Sequence, residues 1–162
     1  MFGGEACDNH AIELCLQNGK PMSLINLYGP TENACVSTAL HLTLENFQVD
    51  HAASIGQAIG NSCAWVVDQF GNLQIPGGIG ELLVGGDGVS PGYLAQENIQ
   101  NIDALNHNKF IRDTFSQQPS TTQKLYQSGD LVYLDNNANI YFIGRSDAVS
   151  YTHLTLPTIL LV

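Results

Sequence analysis

Basic residues are scarce in this sequence: five Lys and Arg stand against fifteen Asp and Glu, for a formal net charge of −10. Nucleic-acid affinity depends on clustered Lys and Arg that neutralise phosphates, so no nucleic-acid partner is expected. Attraction to anionic membrane surfaces is disfavoured for the same reason. Any phosphate bound here must be held by backbone N–H groups, hydroxyls, a metal ion, or the one or two arginines available. Long hydrophobic runs are missing too, and no apolar stretch approaches the roughly 20 residues that span a bilayer. The first ten residues, MFGGEACDNH, carry neither the basic region nor the apolar run of a signal peptide. The four cysteines (Cys7, Cys15, Cys35, Cys63) include no CxxC pair, which suggests neither a zinc site nor a dense disulfide framework. His10, His41, His51, His107 and His153 are scattered without ligand spacing. Buried thiols in a reducing, cytoplasmic setting are the expectation.

Several phosphate-binding and catalytic patterns are also missing. The only Gly-Lys, Gly19-Lys20, is followed by Pro21 where a Walker loop needs Ser or Thr, and Leu14 stands where its first glycine belongs. GGDGVSPG (85–92) is glycine-rich but does not fit GxGxxG, so a Rossmann cofactor is not expected. No Ser/His/Asp order is suggested either.

What is present fits one domain, since 162 residues suffice to bury a core. Asp8 can cap a short helix with Ala11, Leu14 and Cys15 as its apolar face and Asn18-Gly19 as its stop. SLINL (23–27) reads as a buried strand, and VSTALHL (36–42) alternates as a half-buried strand does. CAWVVD (63–68) and GELLVGG (80–86) are short strands punctuated by glycine. Residues 94–106 allow one short helix, and residues 107–124 read as an exposed polar loop. DLVYLD, the turn NNAN (136–139) and IYFIG form the clearest hairpin. The expected fold is thus α/β (α+β): the end of a βαβ layer leading into a β-rich distorted barrel, with no internal repeat or linker.

Polar groups gather at four corners beside these strands: GGEA (3–6), NLYGPTE (26–32), SGD (128–130) and GRSD (144–147). Any one alone reads as a capped turn. Strand-end loops are also where α/β folds collect ligand-binding groups, and four such corners favour that use. Together with IGQAIGN (55–61), GELLVGGDGVSPGYL (80–94) and LYQSGDL (125–131), they match in order and spacing the adenylate-forming superfamily. The chain resembles, specifically, an adenylation domain of a non-ribosomal peptide synthetase, over residues 1–147 and in the C-terminal part of its large subdomain.

The resemblance implies a site. Tyr28 matches a ring that stacks on adenine, with Asn26 on the purine edge and Gly3, Gly4 and Glu5 lining the other side. Gly29, at the corner, also counts among the nucleotide-binding residues. Thr31 would offer its hydroxyl to the α-phosphate, and Glu32 would hold Mg²⁺, a hard cation that prefers carboxylate oxygen. Asp130 matches the aspartate that accepts from both ribose hydroxyls, Arg145 the arginine near ribose and phosphate, and Phe142 a residue beside the nucleotide. Asp147 matches the hinge to the small subdomain. Gly3, Leu27, Cys35 and Val36, with Met1 as a further candidate, would contribute to an amino-acid pocket suited to an uncharged side chain. Plain core packing is the competing reading of Cys35 and Val36.

The implied activity joins an amino acid to ATP as aminoacyl-AMP. The acyl group then passes to a phosphopantetheine thiol on a carrier (thiolation) domain, beside a condensation domain of the same synthetase. The alternatives are an acyl- or aryl-CoA ligase of the same superfamily and a non-catalytic β-rich binding module. Pro91 and Gln127 stand where the family usually has arginine. The family's phosphate loop would precede residue 1 and its small subdomain with the catalytic lysine would follow Asp147, so this stretch alone is expected to be inactive. Residues 148–162 resemble translated sequencing adapter, and no function is placed on them.

Overall fold

The run LINLY is apolar enough to lie inside a sheet, and in the computed structural model it does. This structure describes residues 1–4, 8–18, 24–47, 53–95, 101–116 and 123–147. Strand β1 (Phe2–Gly3) lies parallel to β2 (Leu24–Tyr28), and helix α1 (Asn9–Asn18) falls between them in sequence. Asp8 caps α1 as expected: its carboxylate accepts from the N–H of His10 at 2.9 Å, and its carbonyl from that of Ile12 at 3.1 Å. The expected apolar face is corrected. Ala11, Leu14 and Cys15 are exposed, whereas Ile12 is buried and Leu16 half-buried. Those two residues stand one helical turn apart on one face.

Strand β3 (Thr38–Leu42) runs antiparallel to β2, and β4 (Gln57–Ala58) completes a sheet of order β1-β2-β3-β4. β3 starts two residues later than the alternation predicts. Ala34 and Cys35 adopt left-handed φ values of 52° and 68°, which turn the chain before pairing can begin.

The second sheet is built around the longest strand. β5 (Ser62–Val67) pairs with β6 (Ile79–Gly86), and β6 pairs with β8 (Lys124–Leu134). The far edge of β8 is shared: β7 (Phe110–Arg112) covers its first residues, and β9 (Ile140–Arg145) covers its last. The β8–β9 hairpin turns at Asp135, whose carboxylate accepts from the N–H groups of Asn137 and Asn139, both at 2.8 Å.

Residues 107–124 are not wholly the exposed loop that their polarity suggests. Helix α2 (Ile102–Lys109) runs into that stretch, and β7 pairs with β8 directly after it. Phe110 and Ile111 point to opposite faces of the sheet, so two apolar residues suffice to anchor the edge. Asp113 is fully buried and not solvated. Residues 117–122 and the tail 148–162 lie outside the described residues, as do Glu5 and Cys7. The expectation of buried thiols is also corrected, because Cys15 and Cys35 are exposed and Cys63 is half-buried.

Both faces of the second sheet are covered. Val66, Leu82, Val84, Tyr126 and Val132 face the first sheet with Ile55, while Val67, Leu83 and Leu125 form a smaller cluster on the other side. The sheets are stitched by backbone: Ile55 N–H donates to Ile140 O at 2.8 Å, and Ile140 N–H to Gly56 O at 2.9 Å. Gly56 fits this seam for want of a side chain, since its φ is +80° and a Cβ there would lie 1.9 Å from Ala39 O. No helix among the described residues is long and apolar enough to cross a membrane.

Candidate functional site

Where β2 ends, the chain must leave the sheet and return as β3, and the Gly29-Pro30 corner makes that turn. The carbonyl of Pro30 accepts from the N–H groups of Asn33 and Cys35 at 3.1 and 3.2 Å, and Ser37 N–H closes back on Tyr28 O at 2.8 Å. Asn33 is the internal brace, buried, with its Nδ2 donating to Ser37 Oγ at 2.8 Å. With Asn33 turned inward, Thr31 stays exposed and Glu32 half-exposed on the rim.

Tyr28 is half-buried, not at the surface. Its hydroxyl donates to Asp130 Oδ2 at 2.5 Å. Burial pushes the Tyr28 phenol well above its usual range, and the adjacent Asp130 carboxylate pushes it further, so the phenol remains a proton donor. Arg145 Nη1 donates to Asp130 Oδ1 at 3.1 Å and to Ser128 O at 2.7 Å, while its Nε reaches Asp147 Oδ1 at 3.3 Å. Burial works against the guanidinium's charge, but Asp147 and Asp130 more than restore it and push its pKa up.

The SGD bend holds Asp130 in place. Gly129 takes φ +75° and gives its N–H to Glu81 Oε1 at 2.9 Å. Ser128 Oγ donates to Leu82 O at 2.6 Å and accepts from the N–H of Asp130 at 3.0 Å. β6 therefore clamps the bend that aims the carboxylate.

A second polar group lies around Glu32. Tyr93 OH donates to Glu32 Oε1 at 2.5 Å and lies 3.1 Å from Tyr126 OH. Burial pushes the Glu32 carboxyl up, but the Tyr93 hydrogen bond, its own backbone N–H, Tyr126 and the charge of Lys109 outweigh it. The carboxyl is held below its usual range. Tyr93 is fixed at both ends of its backbone by Asn106 of α2, which accepts from Tyr93 N–H at 2.6 Å and donates to Tyr93 O at 3.0 Å. Glu32 O in turn accepts from Ser90 N–H at 2.8 Å, tying the corner after β2 to the loop after β6.

The two polar groups share one floor. Tyr28, Tyr93 and Phe142 all pack against the apolar cluster that contains Tyr126. The Tyr126 phenol, raised chiefly by burial, senses the charges of both Glu32 and Arg145. Tyr28, Asp130 and Arg145 thus form one hydrogen-bonded group and Glu32 with Tyr93 another, and Tyr126 feels both. Asn26 is buried, with its Nδ2 donating to Ser54 O at 2.8 Å and its Oδ1 left as an acceptor. Gly3 lies in β1 opposite Leu27, and Gly4 follows it, exposed. Cys35 is exposed and Val36 half-buried beside the corner, while Asp147 is exposed at the end of β9.

Among the described residues no group of three or more His, Cys, Asp or Glu converges as a metal cage. One carboxylate is enough for Mg²⁺ when substrate phosphates and water complete its shell, and ionised Glu32 meets that requirement. Sequence reasoning missed Tyr93, Tyr126, Lys109, Glu81 and Ser54. Tyr93 and Tyr126 lie inside recognised motifs, yet their partners stand far along the chain, and only the fold reveals the pairing.

Residues 1–94 match the family described as AMP-binding enzyme. Gramicidin S synthase 2 of Brevibacillus brevis is 35% identical over 91% of this chain and 3% of that protein. The structure of a four-domain nonribosomal peptide synthetase bound to AMP and glycine is similar at a TM-score of 0.71 and 31% identity. That match covers 90% of this chain and 10% of the other. NpsA-ThdA, a fused adenylation–PCP di-domain from Klebsiella oxytoca, has a TM-score of 0.75 at 22% identity over 88% of this chain and 27% of that one, which establishes a shared fold. The chain spans a small part of the curated relatives it matches, 14% of the length of one and 2% of another.

Proposed function

Because the chain belongs to the AMP-binding enzyme family, we propose that it forms the nucleotide-binding side of an amino-acid-activating adenylation domain in a non-ribosomal peptide synthetase. In the proposed reaction a carboxylate oxygen of the amino acid attacks the α-phosphorus of ATP, and the bond to pyrophosphate breaks. The resulting aminoacyl-AMP then yields its acyl group to the phosphopantetheine thiol of a carrier domain, releasing AMP. A condensation domain would be the next partner in the same assembly. Catalysis of this kind is positioning and charge stabilisation, with no protein nucleophile.

The observation that carries the reading is the Tyr28–Asp130–Arg145 cluster. A carboxylate offers about four lone-pair sites, and Tyr28 and Arg145 occupy one on each oxygen. The remaining sites suit the two adjacent hydroxyls of a ribose. Tyr28 would lay its ring against adenine, with the backbone of Gly3, Gly4 and Glu5 opposite and Asn26 Oδ1 accepting from the purine's amino group. Arg145 and Thr31 would face the α-phosphate, and Phe142 would floor the site. Glu32 would hold Mg²⁺, which neutralises phosphate charge when bound. Asp147 would mark the hinge beyond β9. Gly3, Leu27, Cys35 and Val36 would border an amino-acid pocket that suits an uncharged side chain.

Equilibrium binding of AMP to the chain and to Asp130→Asn tests the reading. A hydrogen bond to a charged group contributes about 1.5–3 kcal/mol, so the substitution is expected to weaken binding by at least about tenfold. Equal affinity of the two proteins would remove the ribose role.

A further inference from the structure

We infer that Tyr93 is a positioning residue for the Glu32 carboxylate, holding it where a divalent cation on the nucleotide's phosphates would be met. The inference rests on the proposed function, and the family resemblance assigns Tyr93 no role.

Glu32 sits on a rim, where a flexible carboxylate side chain would otherwise sample several rotamers. Tyr93 removes that freedom. Its hydroxyl donates to Glu32 Oε1 at 2.5 Å. The Tyr93 hydroxyl also lies 3.1 Å from that of Tyr126, so it is held from a second side.

Tyr93 is itself rigid. Asn106 grips its N–H and its carbonyl. Phe110 meets its ring edge-on at a centroid distance of 5.3 Å, and the Phe110 ring lies 5.2 Å from that of Tyr126. The route runs from the helix α2, through an aromatic stack, to one carboxylate oxygen. Carboxylates that bind metals are held by such outer hydrogen bonds, whose loss weakens metal affinity by about 10–100-fold.

The test uses the full chain with Mn²⁺ as the probe and ATP present, read by electron paramagnetic resonance. Wild type is compared with Tyr93→Phe, which keeps the ring and its packing and deletes only the hydroxyl, and with Glu32→Ala. Tyr93→Phe is expected to weaken Mn²⁺ binding by about 10–100-fold while AMP binding in EDTA stays unchanged. Loss of Mn²⁺ in Glu32→Ala with none in Tyr93→Phe would overturn the inference and leave the proposed metal role of Glu32 standing. Failure of Glu32→Ala to alter Mn²⁺ binding, or absence of binding by wild type, would overturn both.

A second readout needs no nucleotide. Carbon-13 couplings of labelled glutamate report the Glu32 rotamer in the free chain. One dominant rotamer in wild type and averaging in Tyr93→Phe are expected, and identical couplings would refute the positioning role.

Discussion

At the scale of single residues, backbone shape and buried charge decide most. Gly129 bends β8 at φ +75°, and a Cβ there would stand 3.0 Å from the Arg145 guanidinium. Gly129→Ala should therefore cost about 1–2 kcal/mol for the left-handed conformation, visible as a lower urea midpoint. Asp113 offers a pH-dependent counterpart. Burial pushes its carboxyl up, but bonds from the Ser116 hydroxyl and from the N–H groups of Phe115 and Ser116 win, leaving it below the ordinary 3.8. A carboxyl lowered by folding contributes stability that is complete above its unfolded pKa and is lost as pH falls through the folded one. Asp113→Asn should destabilise the chain by about 1–2 kcal/mol at pH 7, by loss of charge-assisted bonds, and the difference should shrink below pH 3.8. Urea unfolding at the two pH values checks both parts.

Elements were legible in the sequence where local pattern and tertiary demand agree. The β8–β9 hairpin has alternating apolar residues around an Asp-Asn-Asn turn, and the turn chemistry closes locally through Asp135. Strand β7 carried no such signal. It has three residues, follows a polar helix, and owes its existence to β8 as a template. Phe110 is the residue that makes this edge matter, because it is buried against both Tyr93 and Tyr126. Phe110→Ala should cost about 3–5 kcal/mol, seen in the urea midpoint. The site divides along the same line. Tyr28 and Asp130 could be read from their motifs, whereas the Tyr93–Glu32 bond joins residues with no common local pattern. Helix α1 shows the limit of periodicity: both Leu14 and Ile12 are apolar, yet only Ile12 is buried.

For the molecule as a whole, the candidate site exists because two sheets meet, with Tyr28 on one and Asp130 on the other. Ser54 lies at their seam. Its hydroxyl donates to Ile140 O at 2.7 Å and accepts from Gly56 N–H at 2.9 Å, while its carbonyl accepts from Asn26 at 2.8 Å. One serine thus binds β2 to the start of β9. Ser54→Ala strands the Gly56 N–H in a buried seam, a loss of about 1–3 kcal/mol. Ile55, next to it, belongs to the core cluster of the second sheet, so the sheets should open together and not one at a time. Hydrogen exchange of Ser54→Ala should then show protection falling by the same free energy at Leu40 in β3 and at Val84 in β6. A fall confined to the first sheet would mean that the seam is a hinge, with Tyr28 free to move away from Asp130. An equal fall would mean that the spacing between them is set by the fold itself.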